Sequence, residues 1–212
     1  MSNVKTIKLE KIKKPNSDFY FKNKKIDLYL SLCNCGININ YRLTERAIEL
    51  ALAKEWLKNK EQYTEIGAVT PYYPDIYTPH DVIDPTDKHD LVNIKKSMFD
   101  VNIKNQNILC ISTIEHIGND DYGLTQKESS VDALNKIIQE SKTCFITFPL
   151  GYNKILDEYI NKIYYNDNSF EIIIYSRSEF ENDWKTSGIK TQYTYGPLWA
   201  NDICIIIKNN EN

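Results

Sequence analysis

Two short apolar runs, residues 107–111 and 143–148, flank a segment in which Val131, Leu134, Ile137 and Ile138 recur at helical spacing. Apolar runs of this length suit strands buried on both faces of a sheet, and such strands are parallel when a helix carries the chain from one to the next. The helix, beginning near Ser129 and Ser130, reads as a right-handed crossover. A strand, a helix and a strand in this order commit the chain to an open α/β sheet with helices on its faces.

The other elements extend that sheet. Thr44 can cap a helix over residues 45–57, with Ile48, Ala51, Leu52 and Trp56 on its buried face. A strand ends at Glu65-Ile66-Gly67 and another at His80-Asp81-Val82-Ile83-Asp84, within a Pro-, Tyr- and Asp-rich loop region. Residues 170–175 and 203–207 read as two closing strands, close enough in sequence to form an antiparallel edge pair. The expectation is a Rossmann-like, mostly parallel sheet with helices on both faces and an antiparallel edge strand.

The length of 212 residues fits one domain, preceded by a lysine-rich arm over residues 1–40, with the α/β domain spanning 41–212. The arm reads as a solvated segment. A formal charge of −3 is too small to argue for nucleic acid or a membrane surface as the main partner, so neither is expected, and no apolar run is long enough to span a bilayer. A soluble, cytoplasmic protein is expected, with homo-oligomerisation left open. Cys110, Cys144 and Cys204 lie in apolar runs and read as reduced core residues, while Cys33-Asn34-Cys35 lacks the second pair of a zinc site.

Chemistry concentrates where strands end. In Ile111-Ser112-Thr113-Ile114-Glu115-His116-Ile117-Gly118 a strand delivers hydroxyls, a carboxylate and an imidazole at its exit, where open α/β sheets place their sites. Gly67 allows a tight turn, and Asp84, about twenty residues on at a strand end, is placed to accept ribose hydroxyl protons. Val69 and Pro71 stand where a pyrophosphate loop would continue with glycine, which favours S-adenosylmethionine over NAD. The Asp84–Asp90 segment with Asn119-Asp120-Asp121 could hold magnesium, but such residues more often satisfy loop amides, and no metal site is assigned.

At these positions the chain resembles the class I S-adenosylmethionine-dependent methyltransferases, in particular small ones of bacterial polysaccharide-biosynthesis gene clusters. The resemblance rests on residues 41–49, Glu65-Ile66-Gly67-Ala68-Val69, Asp84, the 111–118 block and Phe148-Pro149-Leu150-Gly151-Tyr152-Asn153. It implies that Glu65, Gly67 and Ala68 line the methionine side of the cofactor, that Asp84 binds the ribose and that Ser112 lies beside the methyl donor. Adenine contacts fall to Ser97 and Met98 or to Asp100 and Val101, and Asn107 replaces an acid often found there.

Methyl transfer to a hydroxyl needs alignment and a base, and histidine, with an ordinary pKa of about 6.5, suits that task. His116 is the candidate base, with Glu115 orienting it or bonding the acceptor; equally, His116 caps the loop while Glu115 pairs with Arg42 or Arg46. Tyr72, Tyr73, Tyr77 and Tyr152 are candidate walls of an acceptor pocket. The expected activity is S-adenosylmethionine-dependent O-methylation of a small-molecule acceptor, a sugar, sugar nucleotide or other nucleotide-linked group of surface polysaccharide assembly. The alternatives are a nucleotide-dependent oxidoreductase, disfavoured by the missing glycines, and a degenerate methyltransferase fold that only binds a partner.

Overall fold

The computed structural model describes residues 18–29, 44–119, 127–165, 169–177, 183–195 and 200–209. Nine strands and three helices are defined there: β1 (Asp18–Phe21), β2 (Lys24–Asp27), α1 (Arg46–Leu57), β3 (Thr64–Ile66), β4 (Asp81–Ile83), β5 (Asn107–Ile111), α2 (Ser130–Glu140), β6 (Thr143–Pro149), α3 (Lys154–Ile163), β7 (Glu171–Ser176), β8 (Lys185–Ser187) and β9 (Asp202–Lys208). Seven strands form one sheet in the order β4-β3-β5-β6-β9-β7-β8. The pairs from β4 to β6 are parallel, and those involving β9 or β8 are antiparallel. This is a Rossmann-like sheet whose order turns back between β3 and β5, and such a reversal opens a crevice beyond the carboxyl ends of the strands.

Alternation along the central strands divides the core into two layers. Leu109, Ile111, Phe145 and Ile205 face α1, whereas Ile108, Cys110, Ile146 and Cys204 face α2 and α3. All these side chains are buried, each worth about 1.5–3 kcal/mol relative to exposure for the larger apolar ones. The thiols of Cys110, Cys144 and Cys204 are free and buried, while Cys33 and Cys35 lie outside the described residues.

Helix α2 starts as anticipated, with Ser129 and Asp132 forming a reciprocal capping box. Helix α1 departs from expectation at its start: Glu45, not Thr44, occupies the capping position, and no side chain caps it. The Glu45 carboxylate instead accepts from the Ala200 amide at 3.0 Å, a tertiary bond that local sequence does not encode. Every residue from Ala47 to Ala53 is buried because α1 is covered on its outer side as well. The cover is the β1–β2 hairpin, drawn from the lysine-rich arm: Phe19, Ile26 and Leu28 pack into the α1 layer while Lys24 pairs with Glu55 and Lys22 with Glu171. The Tyr175 hydroxyl donates to the Tyr20 carbonyl at 2.7 Å and ties the hairpin to β7.

The antiparallel edge is present in β8. The other reversed strand, β9, inserts two places further in, between β6 and β7, where Ile203–Ile207 bury both faces. No helix among the described residues is long and apolar enough to cross a membrane.

Candidate active site

At the end of β3 the chain turns through Gly67, whose φ of +82° falls in the left-handed region. A Cβ at this position would lie 2.0 Å from the Thr113 hydroxyl oxygen, so the β3 turn and the β5 exit meet only because residue 67 has no side chain. Glu65 departs from its expected place. Its carboxylate is buried beneath the turn and accepts from the Val69 amide at 3.0 Å, the Thr70 amide at 2.8 Å and the Thr70 hydroxyl. It shapes the loop from below and does not line the cleft, because unpaired loop amides offered nearer partners than a ligand would.

The loop after β4 is organised in the same manner. Asp84 Oδ1 accepts from the Thr86 and Asp87 amides, both at 2.8 Å, and Oδ2 accepts from the Ala68 amide at 3.2 Å. The carboxylate thereby joins the β3 and β4 loops while still facing the cleft. Asp87 accepts from the Tyr72 hydroxyl at 2.9 Å and the His89 amide at 2.7 Å, which gives the aspartates of this segment the role of loop organisers. Desolvation, then the bond to Asp87, pushes the Tyr72 phenol up to about 12. Asp120 and Asp121 lie outside the described residues.

Ser97 and Met98 close the far end. The Ser97 hydroxyl accepts from the Phe99 amide at 3.3 Å and caps a short 3-10 turn that presents buried Met98 to the cleft. Asp100 and Val101, the other adenine candidates, are not among the cleft-lining residues.

The β5 exit carries the most strained residue of the site. Ser112 has φ +40°, an unfavourable value for a residue with a Cβ. Two bonds hold it there: its amide donates to the Thr147 carbonyl at 2.8 Å and its hydroxyl to Glu49 Oε1 at 2.7 Å. Glu49 is fully buried on α1, also accepts from the Thr147 hydroxyl at 2.8 Å, and pairs with Arg46 at 3.2 Å. Arg46 lines the cleft, and the carboxylate it pairs with among the described residues is Glu49, not Glu115; Arg42 lies outside the described residues.

His116 stands at the cleft wall with a quarter of its side chain exposed. Its ring meets Tyr152 edge-on at 4.9 Å, and Tyr152 meets Tyr195 in the same way at 5.1 Å. Glu115 is buried beside it, with Oε1 3.6 Å from His116 Nε2, beyond hydrogen-bond length. Its Oε2 has no hydrogen-bond partner among the described residues, and desolvation pushes its carboxyl well above the usual range. Its carbonyl accepts from the Asn119 and Asn153 side chains at 3.0 and 2.9 Å, which fixes the turn carrying His116. Burial, and then the charges of Glu45, Glu115 and Glu49, push the Tyr195 phenol up to about 12.

The cleft holds about 570 Å³ and is bounded by the exits of β3, β4 and β5. Gly67, Ala68, Asp84, Ser97, Met98, Ser112 and His116 all line it, and Glu65 and Glu115 lie behind it. Of the tyrosines, Tyr73 packs against Tyr29 in the core, Tyr77 lies against His80, and Tyr152 meets His116. Sequence reasoning passed over Glu49 and the cleft role of Arg46. The available signal was a carboxylate set among Ile48, Leu50 and Ala51 in a buried helix, where acids are rare unless paired.

The chain matches no family model and no curated protein. Among solved structures it is similar to a Pyrococcus horikoshii protein described as an RNA methyltransferase, at 9% identity and TM-score 0.45, over 78% of this chain and 83% of that one. It is also similar to the 23S rRNA methyltransferase ErmE, at 10% identity and TM-score 0.41, over 80% of this chain and 70% of that one. Both similar structures are methyltransferases by description, and at such identities the likeness concerns the fold.

Proposed function

We propose that this chain is an S-adenosylmethionine-dependent O-methyltransferase acting on a small polar acceptor, a sugar or a sugar- or nucleotide-linked group of surface polysaccharide assembly. The observation that carries this reading is the convergence of Gly67, Ala68, Asp84, Ser97, Met98 and Ser112 on one cleft at the sheet's reversal point, with His116 on the same wall. The residues fit the cofactor. The Gly67 turn leaves a surface that a Cβ would fill, Asp84 offers a carboxylate edge for ribose hydroxyls, and Val69 blocks the backbone approach a pyrophosphate requires.

Bound there, the cofactor supplies an electrophilic methyl group on a sulfonium. The protein's part is to align acceptor and donor, exclude water and take up a proton. His116 would take up the proton of the acceptor hydroxyl. Arg46 supplies donors on one side of the acceptor, and the Tyr152–Tyr195 pair supplies the apolar faces on which sugar rings rest.

The test is calorimetric titration of the full chain with S-adenosylmethionine and S-adenosylhomocysteine, with NAD as control. Micromolar binding of both sulfur compounds and none of NAD is expected, followed by methylation of a sugar nucleotide in an acceptor screen. Absence of binding by either sulfur compound refutes the enzyme reading and leaves a binding protein built on a methyltransferase fold.

A further inference from the structure

Behind the donor loop lies a buried pair that the proposed reaction does not use. His80, just before β4, directs Nε2 at Glu65 Oε2 at 2.9 Å and Nδ1 at the Thr78 carbonyl, and both side chains are almost wholly excluded from solvent. The imidazole is stacked on Tyr63 at 4.1 Å and flanked by Tyr77 at 5.1 Å. The other groups facing the pair are the Thr70 hydroxyl on Glu65 Oε2, the Tyr63 hydroxyl at 3.3 Å from the Thr78 hydroxyl, and the Cys110 thiol, whose titration Glu65 influences.

The proton count of this arrangement is fixed by its acceptors. A carbonyl only accepts, so Nδ1 carries a proton toward Thr78. An ionised carboxylate oxygen also only accepts, so the 2.9 Å contact of Glu65 Oε2 with Nε2 requires a second proton between them. A neutral imidazole beside an ionised Glu65 has one proton too few and sets a nitrogen lone pair against a carboxylate oxygen in a buried site. Glu65 Oε1 meanwhile carries the Val69 and Thr70 amides, and Val69 lines the cleft beside Gly67 and Ala68. Whatever displaces the carboxylate displaces the loop.

We propose that His80 is a positioning residue for the donor loop: its protonated ring locks Glu65, Glu65 holds Val69 and Thr70 in place, and donor affinity drops when His80 gives up its proton. This rests on the reading of the cleft as a donor site, but the lock itself is a property of the free protein. His89 lies on the loop after β4 and His116 on the β5 exit, so each could impose a pH dependence of its own and must be separated from His80.

Two readouts are taken on the full chain, His80→Gln and His80→Phe, each confirmed as folded by its melting curve, at pH values on either side of the histidine transition. The first is S-adenosylhomocysteine affinity by calorimetry; the second is amide-exchange protection at Val69 and Thr70 without ligand, corrected for intrinsic rate. In the parent chain both are expected to fall by about tenfold on the basic side, the value of one charge-assisted hydrogen bond. His80→Gln donates to Glu65 at every pH, and its profile is expected to be flat. His80→Phe keeps the stacking without a donor and is expected to be low throughout. A His80→Gln variant that keeps the parental slope overturns the proposal, and so does unchanged protection in the parent chain. If S-adenosylhomocysteine binds to none of them while protection follows the expected pattern, the lock stands and the donor reading fails.

Discussion

Replacing Gly67 with alanine is the most direct probe of the donor loop, because the structure sets two separate penalties there. The first is conformational: at φ +82° a Cβ costs about 1–2 kcal/mol. The second is steric. The new methyl would lie 2.0, 2.6 and 2.8 Å from Thr113 Oγ1, Cγ2 and Cβ, distances no packed side chain tolerates. Thr113 cannot simply rotate away, since its hydroxyl donates to the Ile111 carbonyl at 2.9 Å, so relief requires the β5 exit to shift at a cost of about 1–3 kcal/mol. Together these give a destabilisation of about 2–5 kcal/mol, read as a lowered melting temperature, and S-adenosylhomocysteine affinity reduced by at least about tenfold. Adding Thr113→Gly in the Gly67→Ala background removes the steric part and not the conformational one, so stability is expected to return only partly. A Gly67→Ala protein with parental melting temperature and affinity would refute the account of the turn.

Three further substitutions separate the roles assigned around the cleft. His116→Gln is expected to lower turnover by about a hundredfold or more while S-adenosylhomocysteine affinity is unchanged; parental turnover would remove His116 as the base. Glu115→Gln is expected to keep the melting temperature, because burial already favours the neutral carboxyl, whereas Glu115→Ala should cost about 1–3 kcal/mol; equal losses would show an ionised, paired group. Asp157 accepts from the Gly151 amide at 3.0 Å, and desolvation raises its pKa to about 6 from 3.8. The folded state thus binds more protons than the unfolded state between these values, and this group's contribution to stability falls as pH rises through that window. Asp157→Asn should flatten that segment of a pH–melting profile and raise the melting temperature near neutrality; a parental slope would locate the titration elsewhere.

What could be read from the chain itself divides along physical lines. Strand β5, helix α2 with its start near Ser129, and strand β6 were legible because apolar runs and helical periodicity act within a few residues. Helix α3 was not anticipated although Leu156, Ile160 and Ile163 recur at helical spacing; its polar face, with Lys154, Glu158 and Lys162, dilutes the signal. The β1–β2 hairpin was hidden by lysines that turn outward while Phe19 and Ile26 turn in. The place of β9 inside the sheet follows from pairing partners about sixty residues upstream in β6, which no local pattern records. In the cleft, Gly67, Asp84 and Ser112 were legible because a turn or a strand end restricts which residue can serve. Glu65 was misplaced by the same logic, since a carboxylate at a strand end can turn toward the ligand or toward its own loop.

The strained Ser112 shows how the two sides of the cleft depend on each other. Its φ of +40° survives because its amide is held by β6 and its hydroxyl by α1. Glu49, the acceptor of that hydroxyl, is buried at a desolvation cost that a hydrophobic residue would avoid, and such a cost is retained where it fixes a geometry. Here it fixes three elements at once: Ser112 on β5, Thr147 on β6, and Arg46 one turn earlier on α1. Ser112 and Arg46 both line the cleft, one beside Gly67 and Thr113, the other on the α1 side. A single buried carboxylate therefore sets the distance between the residues that would hold a donor and the guanidinium that would meet an acceptor. The proposed in-line transfer would tolerate little error in that distance, and on that reading an acid in the most apolar stretch of the helix has a purpose.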